Sequence, residues 1–290
     1  MRAVAALGGN AFVARGAALT MEGQFRFARD ALAHLAPLFA PGVELLVTHG
    51  NGPQVGHELI RVERSQGVAY PLPLDVCVAE TQGELGYVLA RTLRDLLAEL
   101  GLARAVAALV TQVEVDPSDP AFRRPTKPVG PFLDLRAAEA LRRRGATVLE
   151  EDVIRRLLED GALVVAAGGG GVPVARGEHG LAGVEAVIDK DLTAALIADA
   201  LGAELLLVLT DVPCAFTDWR TPAQAPLGRI TASRARALLA EGHFAPGSMA
   251  PKVEACARFA SRPGRRAIVC DLPGLAGALR GENGSIVLPG

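Results

Sequence analysis

The 290-residue chain is poor in lysine, in cysteine and in aromatic residues. Of its 30 basic residues 27 are arginine, and lysine occurs only at Lys127, Lys190 and Lys252. The net charge is −2 and the arginines are scattered, without an aromatic-studded basic stripe, which argues against nucleic-acid binding. Because a bias toward arginine removes lysine wherever arginine can replace it, we expect the three remaining lysines to mark positions of special chemistry, the alternative being that they survive by chance.

The cysteines are few and far apart in the sequence. They show neither CxxC nor His/Cys spacing, so we expect buried free thiols and no metal site. No uninterrupted apolar run approaches the ~18 residues of a membrane-spanning helix, and the apolar start at residues 1–7 is too short for a signal-peptide core. The sequence therefore predicts a soluble, cytoplasmic protein with no membrane partner.

Short apolar runs alternate with segments that have helical spacing. The predicted strands are RAVAAL, VELLVT, RAVAALVTQ, ALVVAA, ELLLVLT, RRAIVC and SIVL. The predicted helices are FRFARDALAHLAPLF, HELIRVERS, GELGYVLARTLRDLLAEL, DLTAALIADALG and PKVEACARFA. Strands that are apolar on both faces and alternate with helices indicate a three-layer α/β/α sandwich around a mainly parallel central sheet. We expect residues 1–290 to form one domain.

Three Gly-rich turns follow predicted strands, at residues 8–10, 50–53 and 168–171. In such sheets ligands bind beyond the carboxyl ends of the strands, and glycines let backbone N–H groups approach an anion closely. A single turn of this kind has the ordinary explanation that turns need glycine for steric reasons. Three at one edge predict a shared oxyanion or phosphate site, although none matches a P-loop or a GxGxxG fingerprint.

Two of the lysines stand at predicted helix starts. The stretch VIDKDLTAAL places Lys190 between Asp189 and Asp191, one of which is expected to be the N-cap. The stretch GSMAPK brings Lys252 to the start of another helix. A cation at a helix N-terminus is unfavourable unless an anion binds there too. Lysine offers phosphate a compact, mobile charge that arginine does not, which suits phosphoryl transfer.

The third lysine lies in an unusual middle segment. Residues 113–135 contain five prolines and few helix formers. The segment predicts a long ordered loop, of a kind that is often functional or acts as a lid. Lys127 stands near its centre.

Together these segments resemble the carbamate kinases of the amino-acid kinase superfamily. The matching stretches span nearly the whole chain: ALGGNA, THGNGPQVG, YPLPLDVCVAETQGELGY, TQVEVDPSDPAFRRPTKPVGPF, AAGGGGVPV, GVEAVIDKDLTAALIA, LLVLTDV and FAPGSMAPKVEA. The long matches around Lys127 and Lys190 separate the carbamate kinases from the acetylglutamate, aspartate and uridylate kinases. Those relatives share mainly the Gly-rich turns and the later Asp and Lys.

The resemblance implies a fold of the amino-acid kinase type and a reversible phosphoryl transfer between ATP and carbamate. Carbamoyl phosphate and ADP would then regenerate ATP. It also implies a homodimer and Mg²⁺ carried with the nucleotide. Residues 1–165 would form the acceptor side, and residues 166–290 the nucleotide side.

The resemblance also implies roles for individual residues. Lys127 would lie over the carbamoyl phosphate, and Lys190 would bridge the transferring phosphoryl group. Asp191 would orient the lysines, and Lys252 would hold the nucleotide phosphates. The carbamate side would be cradled by Gly8, Gly9, Asn10, Gly50, Asn51, Gly52, Gly169 and Gly170. The nucleotide side would include Asp211, Val212, Ser248 and Met249 together with Lys252.

One segment departs from the family pattern. Between residues 132 and 166 the family carries a longer insert, with an Arg-rich stretch that leads into Pro-Ser-Pro, and this motif is missing here. The departure leaves two alternatives open: a kinase for another small acid, and a nucleotide-binding protein that no longer catalyses. The presence of all three lysines with Asp191 favours catalysis.

Overall fold

The computed structural model describes residues 1–8, 20–116, 118, 127–128, 136–139 and 146–290, with segments 127–128 and 136–139 described through their backbone alone. The helices within these ranges are α1 Met21–Ala33, α2 Gly52–Arg64, α3 Leu74–Glu99, α4 Glu151–Glu159, α5 Lys190–Ala200, α6 Ala232–Ala240, α7 Met249–Phe259 and α8 Leu275–Arg280. The strands are β1 Arg2–Leu7, β2 Glu44–His49, β3 Val106–Ala108, β4 Gln112–Glu114, β5 Lys127–Pro128, β6 Arg136–Glu139, β7 Thr147–Val148, β8 Leu163–Val165, β9 Val172–Gly177, β10 Gly180–Gly183, β11 Ala186–Val187, β12 Leu205–Leu209, β13 Phe216–Thr217, β14 Ala225–Pro226, β15 Arg229–Thr231, β16 Arg266–Cys270 and β17 Ser285–Leu288.

Among the described residues, the central sheet has eight strands in the order β15-β17-β16-β12-β1-β2-β8-β3. The six strands from β16 to β3 run parallel, whereas β17 is antiparallel to β16 and β15 is parallel to β17. This confirms the predicted, mainly parallel sheet. Leu7 pairs with His49 and Ala6 with Val208, so β1, β2 and β12 end at the same edge.

The central strand β1 contributes to two hydrophobic cores. Val4 and Ala6 pack on the side that carries α4, α5, α6 and α7. Ala3, Ala5 and Leu7 pack on the side that carries α1, α3 and α8. Successive strand residues point to opposite faces, and both faces are covered by helices. The predicted three-layer α/β/α sandwich is therefore confirmed.

All seven predicted strands lie in the central sheet, as β1, β2, β3, β8, β12, β16 and β17. The eighth strand, β15, was not predicted because its three residues are mostly exposed and carry little apolar signal. The predicted helices correspond to α1, α2, α3, α5 and α7. Helices α4, α6 and α8 were missed. They have nine, nine and six residues, which gives helical spacing few turns in which to show.

Smaller sheets lie beside the central one, in the orders β10-β9-β4-β7, β11-β6-β5 and β13-β14. The prediction of a loop over residues 113–135 is wrong for its described part, which contains β4 and β5. The prolines obscured the strand signal of Val113, which pairs with Pro173 of β9 and Val148 of β7. Most of the predicted loop lies outside the described residues.

The cysteines lie where the sequence predicted. All four thiols are free and buried: Cys77, Cys214, Cys256 and Cys270. Among the helices of the described ranges, none is both long and apolar enough to cross a membrane.

Candidate active site

A cleft of about 880 Å³ opens at the carboxyl ends of the central strands. Gly8 follows β1, Gly50 follows β2 and Thr210 follows β12, and all three line the cleft. Its volume lies within the range of small-molecule and cofactor sites. Twelve of the predicted site residues line it: Gly8, Gly50, Asn51, Gly52, Gly169, Lys190, Asp191, Asp211, Val212, Ser248, Met249 and Lys252.

The remaining predicted site residues are placed differently. Gly170 is buried and is not part of the cleft lining. Gly9 and Asn10 lie outside the described residues. Lys127 begins the short strand β5, and its backbone pairs with Ala137, but its side chain lies outside what the structure describes. The predicted role of Lys127 therefore stays a prediction.

The start of α5 lies at the floor of the cleft and is held by Asp189. As the N-cap residue, Asp189 accepts hydrogen bonds at Oδ1 from the backbone N–H groups of Asp191 (2.8 Å) and Leu192 (3.2 Å). This arrangement satisfies donors that a helix start otherwise leaves unpaired. The expected N-cap is therefore confirmed, and it fixes Lys190 and Asp191 in the first turn.

Asp191 bridges two of the three lysines. Its Oδ1 lies 2.5 Å from Nζ of Lys190, and its Oδ2 lies 2.8 Å from Nζ of Lys252. The side chains are 10%, 4% and 14% exposed for Lys190, Asp191 and Lys252, so water screens these charges weakly. Each ammonium has three N–H groups and gives one to Asp191, which leaves donors for a bound anion.

Burial and the neighbouring charges shift the pKa values of this cluster. Burial lowers the pKa of Lys190 to about 8, and the nearby Lys252 adds to that effect. Burial by itself would raise the pKa of Asp191, but the two lysines have the larger effect and hold this pKa well below the usual range. Burial by itself would lower the pKa of Lys252, but the contact with Asp191 has the larger effect and raises the pKa of Lys252 above its ordinary value. The two lysines differ because Lys190 is the more deeply buried.

The glycine run 168–171 packs between Asn51, in the turn after β2, and Ile188, two residues before α5. Gly169 has φ +66°, and a methyl group there would lie 2.2 Å from Oδ1 of Asn51. Gly170 has φ +97°, and a methyl group there would lie 2.5 Å from the carbonyl oxygen of Ile188. Only glycine combines these backbone angles with such close packing. The run therefore sets the position of the chain that leads into Lys190.

Two of the predicted N–H donors are already used inside the protein. The N–H of Gly50 donates to the Leu7 carbonyl at 3.1 Å, and the N–H of Gly170 donates to the Ala167 carbonyl at 3.1 Å. The proposed cradle of backbone N–H groups does not extend to these two residues. Both bonds form at turns after strands, where the sequence gives no indication of which donors the protein uses itself.

His49, at the end of β2, was not predicted as a site residue although it belongs to the THGNG motif. It is 1% exposed, and a methyl group on Gly168 would lie 2.4 Å from its Nε2 atom. Burial lowers the pKa of His49 to about 4, with Lys190 contributing in the same direction. The ring is therefore neutral at physiological pH and fills the space between β2 and the glycine run.

The outer end of the cleft has a lining that sequence reasoning also missed. Phe216, Trp219 and Arg220 line it, and the rings of Phe216 and Trp219 lie 5.1 Å apart between centroids. Phe216 lies in the short strand β13, and Trp219 and Arg220 lie in the turn that follows it, which has no recognisable motif. The available signal was that Trp219 is the single tryptophan of the chain and follows the LTDV stretch closely.

The comparisons agree with this geometry. The family model of the amino acid kinase family matches residues 1–271. A carbamate kinase of Trichomonas vaginalis is 40% identical over 313 aligned residues, which cover 100% of both chains. A carbamate kinase of Thermococcus kodakarensis is 40% identical over 312 residues, covering 99% of each. Because these alignments are longer than 290 residues, they include positions at which this chain has no residue.

A solved structure supports the same relationship. The carbamate kinase from Giardia lamblia bound to AMP-PNP has a TM-score of 0.92 to this chain and is 34% identical. The match covers 100% of this chain and 98% of that one. Both the sequence and the fold therefore match along the full length. The chain belongs to the amino acid kinase family and, within it, to the carbamate kinases.

Proposed function

We propose that the protein catalyses reversible phosphoryl transfer between carbamoyl phosphate and ADP, which yields ATP and carbamate. The observation that carries this proposal is the pair of lysines bridged by Asp191 inside a cleft at the strand ends. Full-length similarity to proteins named carbamate kinase supports the choice of substrate.

In the proposed reaction a terminal phosphate oxygen of ADP attacks the phosphorus of carbamoyl phosphate. The bond from phosphorus to the carbamoyl oxygen breaks, and carbamate leaves with the electron pair. Negative charge spreads over the oxygens of the transferring group, so fixed positive charges stabilise the transition state. Lys190 and Lys252 would supply those charges, and Asp191 would hold both ammonium groups in place.

The two ends of the cleft would bind different substrates. Residues 1–165 would provide the carbamate side through Gly8, Asn51 and their neighbours, and residues 166–290 would provide the nucleotide side. The binding of AMP-PNP to the Giardia lamblia relative supports a nucleotide site. Lys127 would complete the acceptor side.

Mg²⁺ would enter with the nucleotide. Within the described residues no group of three or more His, Cys, Asp or Glu side chains could hold a metal ion by itself. Mg²⁺ commonly binds through substrate phosphates and water with only one or two carboxylates, which fits this cleft. The ion would neutralise phosphate charge that the lysines do not reach.

We also propose that the enzyme is a homodimer that works in the cytoplasm, where its nucleotide substrates are found. Strand β3 is an edge of the central sheet. Tyr87 on α3 is 57% exposed, and Val110 just beyond β3 is 49% exposed. An open edge with apolar neighbours favours self-association. Light scattering after size exclusion should give twice the monomer mass, and a monomer at micromolar concentration would contradict this.

The decisive experiment is ATP formation from ADP and carbamoyl phosphate with Mg²⁺, with the Lys190→Met variant as the comparison. Wild-type turnover that depends on Lys190 would establish the activity. If the protein binds ADP but forms no ATP from carbamoyl phosphate, other acyl phosphates should be tested, since the aligned relatives are longer than this chain. Absence of turnover with all of them would leave a nucleotide-binding protein.

A further inference from the structure

The outer end of the cleft lies between two loops. The first wall is residues 216–221, which contributes Phe216, Trp219 and Arg220 to the lining. The second wall is residues 245–252, which leads into α7 and carries the lining residues around Ser248. Both walls contribute lining residues, so their relative position affects the shape of the cleft at this end.

The first wall consists of β13 and the turn that follows it, and this turn has an unusual backbone. Asp218 and Arg220 have φ values of 50° and 62°, in the left-handed region that non-glycine residues seldom adopt. Such conformations persist where the surroundings hold them. Within the turn, the N–H and hydroxyl of Thr221 donate to the Asp218 carbonyl at 3.1 and 2.8 Å.

His243 connects the first wall to the second. Its Nδ1 lies 2.9 Å from Oδ1 of Asp218, and its Nε2 lies 3.1 Å from Oε2 of Glu241. Its carbonyl accepts a further hydrogen bond from the Asp218 N–H at 3.1 Å. Residues 245–252 begin two positions later. A single residue thus contacts the strained turn through side chain and backbone, and the second wall continues from it.

The contacts of the His243 ring require a proton. Both ring nitrogens face carboxylate oxygens, and only the imidazolium form donates from both. Among the described residues, the charged groups that face the ring are Asp218 and Glu241, and Arg234 approaches the other oxygen of Glu241 at 3.3 Å. The hydrogen bond with Asp218 is the main reason that the pKa of His243 is raised above its ordinary value of 6.5.

We propose that His243 is a positioning residue for the nucleotide, which as an imidazolium joins the first wall to the second. The role rests on the proposed nucleotide-binding function of the cleft. The connection is complete below about pH 6.5 and weakens as the pH rises through the raised pKa of His243. The neutral ring keeps one N–H and can donate to only one of the two carboxylates, so the connection through the side chain weakens while the backbone bond remains.

The chain carries its own reporter of this connection. Trp219 is the single tryptophan and directly follows Asp218. Its fluorescence should change between pH 6 and 9 with a midpoint above 6.5 in the protein without nucleotide. The change should disappear in His243→Gln and in Asp218→Asn, because asparagine tolerates the left-handed backbone but carries no charge. His179→Gln, in the exposed turn between β9 and β10, is the control that should keep it.

Nucleotide affinity gives the second measurement. The Kd of ADP with Mg²⁺ should be measured by calorimetry over the same pH range for the wild type and His243→Gln. Ionisation of ADP itself is common to both, so the ratio of the two Kd values is the informative quantity. We expect His243→Gln to bind about two- to fivefold more weakly at pH 6 and equally at pH 9, as for a partly exposed ion pair.

Several outcomes would overturn the proposal. The Trp219 fluorescence of the wild type could stay constant with pH, or its pH-dependent change could persist in both His243→Gln and Asp218→Asn. Either result would show that the protonated His243 does not hold the first wall. A Kd ratio that does not change with pH would show that the connection does not act on the nucleotide. A wild type that binds no ADP at any pH would instead overturn the proposed function. Equal loss in His179→Gln would point to a general surface effect.

Discussion

Two helices begin at the cleft, and they begin in different ways. At α5 the Asp189 side chain caps the helix, and Lys190 and Asp191 are buried behind it. At α7, Ser248 occupies the N-cap position with φ −128° and ψ −89°, makes no side-chain cap bond and is exposed. Lys252 comes almost one turn later and reaches back to Asp191.

The difference separates two tasks. At the start of α5, the protein's own side chains cap the helix and pair the charges of Lys190 and Asp191. The geometry of these residues is therefore fixed before any substrate binds. The start of α7 leaves its positive end and the Ser248 hydroxyl for an anion to complete. We therefore expect changes at α5 to affect mainly the chemical step and changes at α7 to affect mainly nucleotide binding.

The largest effect is expected for Lys190→Met, which keeps the side-chain bulk and removes the charge. Loss of a transition-state charge should lower kcat by about 10²- to 10⁴-fold, with the Kd of ADP nearly unchanged. Steady-state kinetics and calorimetry measure the two quantities. Arg64→Met, at the exposed end of α2, is the matched control. A normal kcat, or a loss confined to KM, would contradict the assignment of Lys190.

Gly170→Ala tests how the start of α5 is fixed. The added methyl group would meet the Ile188 carbonyl at a φ of +97°, so we expect a destabilisation of ~3 kcal/mol or more. Gly202→Ala is the matched control, because φ is +66° there but no atom of the described residues lies within 4 Å of the new methyl group. Urea unfolding gives both free energies. Equal losses in the two variants would show that the close packing against Ile188 contributes nothing.

Lys252→Met should act on binding. Loss of a charged hydrogen-bond donor to phosphate should weaken ADP binding by about 10- to 100-fold, with a smaller effect on kcat at saturating ADP. Calorimetry with ADP and Mg²⁺ measures the first, and saturation kinetics the second. If Lys252→Met left the ADP affinity unchanged and lowered kcat as much as Lys190→Met, the starts of α5 and α7 would both act on the chemical step.

The pH dependence sharpens the same distinction. Lys190 is charged below its pKa of about 8, so kcat/KM should fall as the pH rises through about 8. In the pH profile of kcat, the corresponding fall should occur at higher pH, because bound phosphate stabilises the charged form of Lys190. In Asp191→Asn the compensating carboxylate is gone, and the kcat/KM limb should move to lower pH. A wild-type kcat/KM that stays flat up to pH 10 would contradict the pKa of Lys190.

The smallest effects compare the two N-cap positions directly. Asp189→Ala removes two cap hydrogen bonds and should cost about 0.5–2 kcal/mol of unfolding free energy. Ser248→Ala removes no cap bond and should change stability by less than about 0.5 kcal/mol. Thermal unfolding of both variants without nucleotide measures the difference. Equal destabilisation would mean that the two helix starts are alike.

Features with local causes could be predicted from the sequence. The apolar strands, an aspartate cap at α5 and the positions of Lys190 and Lys252 at helix starts follow from short-range patterns, although the choice of Asp189 over Asp191 as the cap needed the structure. The family resemblance assigned roles to them. The bridge by Asp191 joins residues that lie 61 positions apart, and here the resemblance gave the idea and the structure gave the distances.

Features that depend on tertiary contacts could not be predicted. Nothing local shows that the N–H groups of Gly50 and Gly170 are used inside the protein. The wall at Trp219 is an irregular turn, and its shape depends on His243, which lies more than twenty positions later. Strand β15 is too short and exposed to be recognised without its partner β17.

The four buried thiols have a practical consequence. Burial raises the pKa of Cys77 to about 11 and that of Cys270 to about 12, and it also raises those of Cys214 and Cys256. Because the thiolate is the reactive form, alkylating reagents at pH 8 should modify the native protein very slowly. Unfolding exposes all four sulfurs at once. A short pulse of iodoacetamide followed by mass spectrometry would therefore count unfolded molecules, and the native cysteines would report unfolding without any engineered probe.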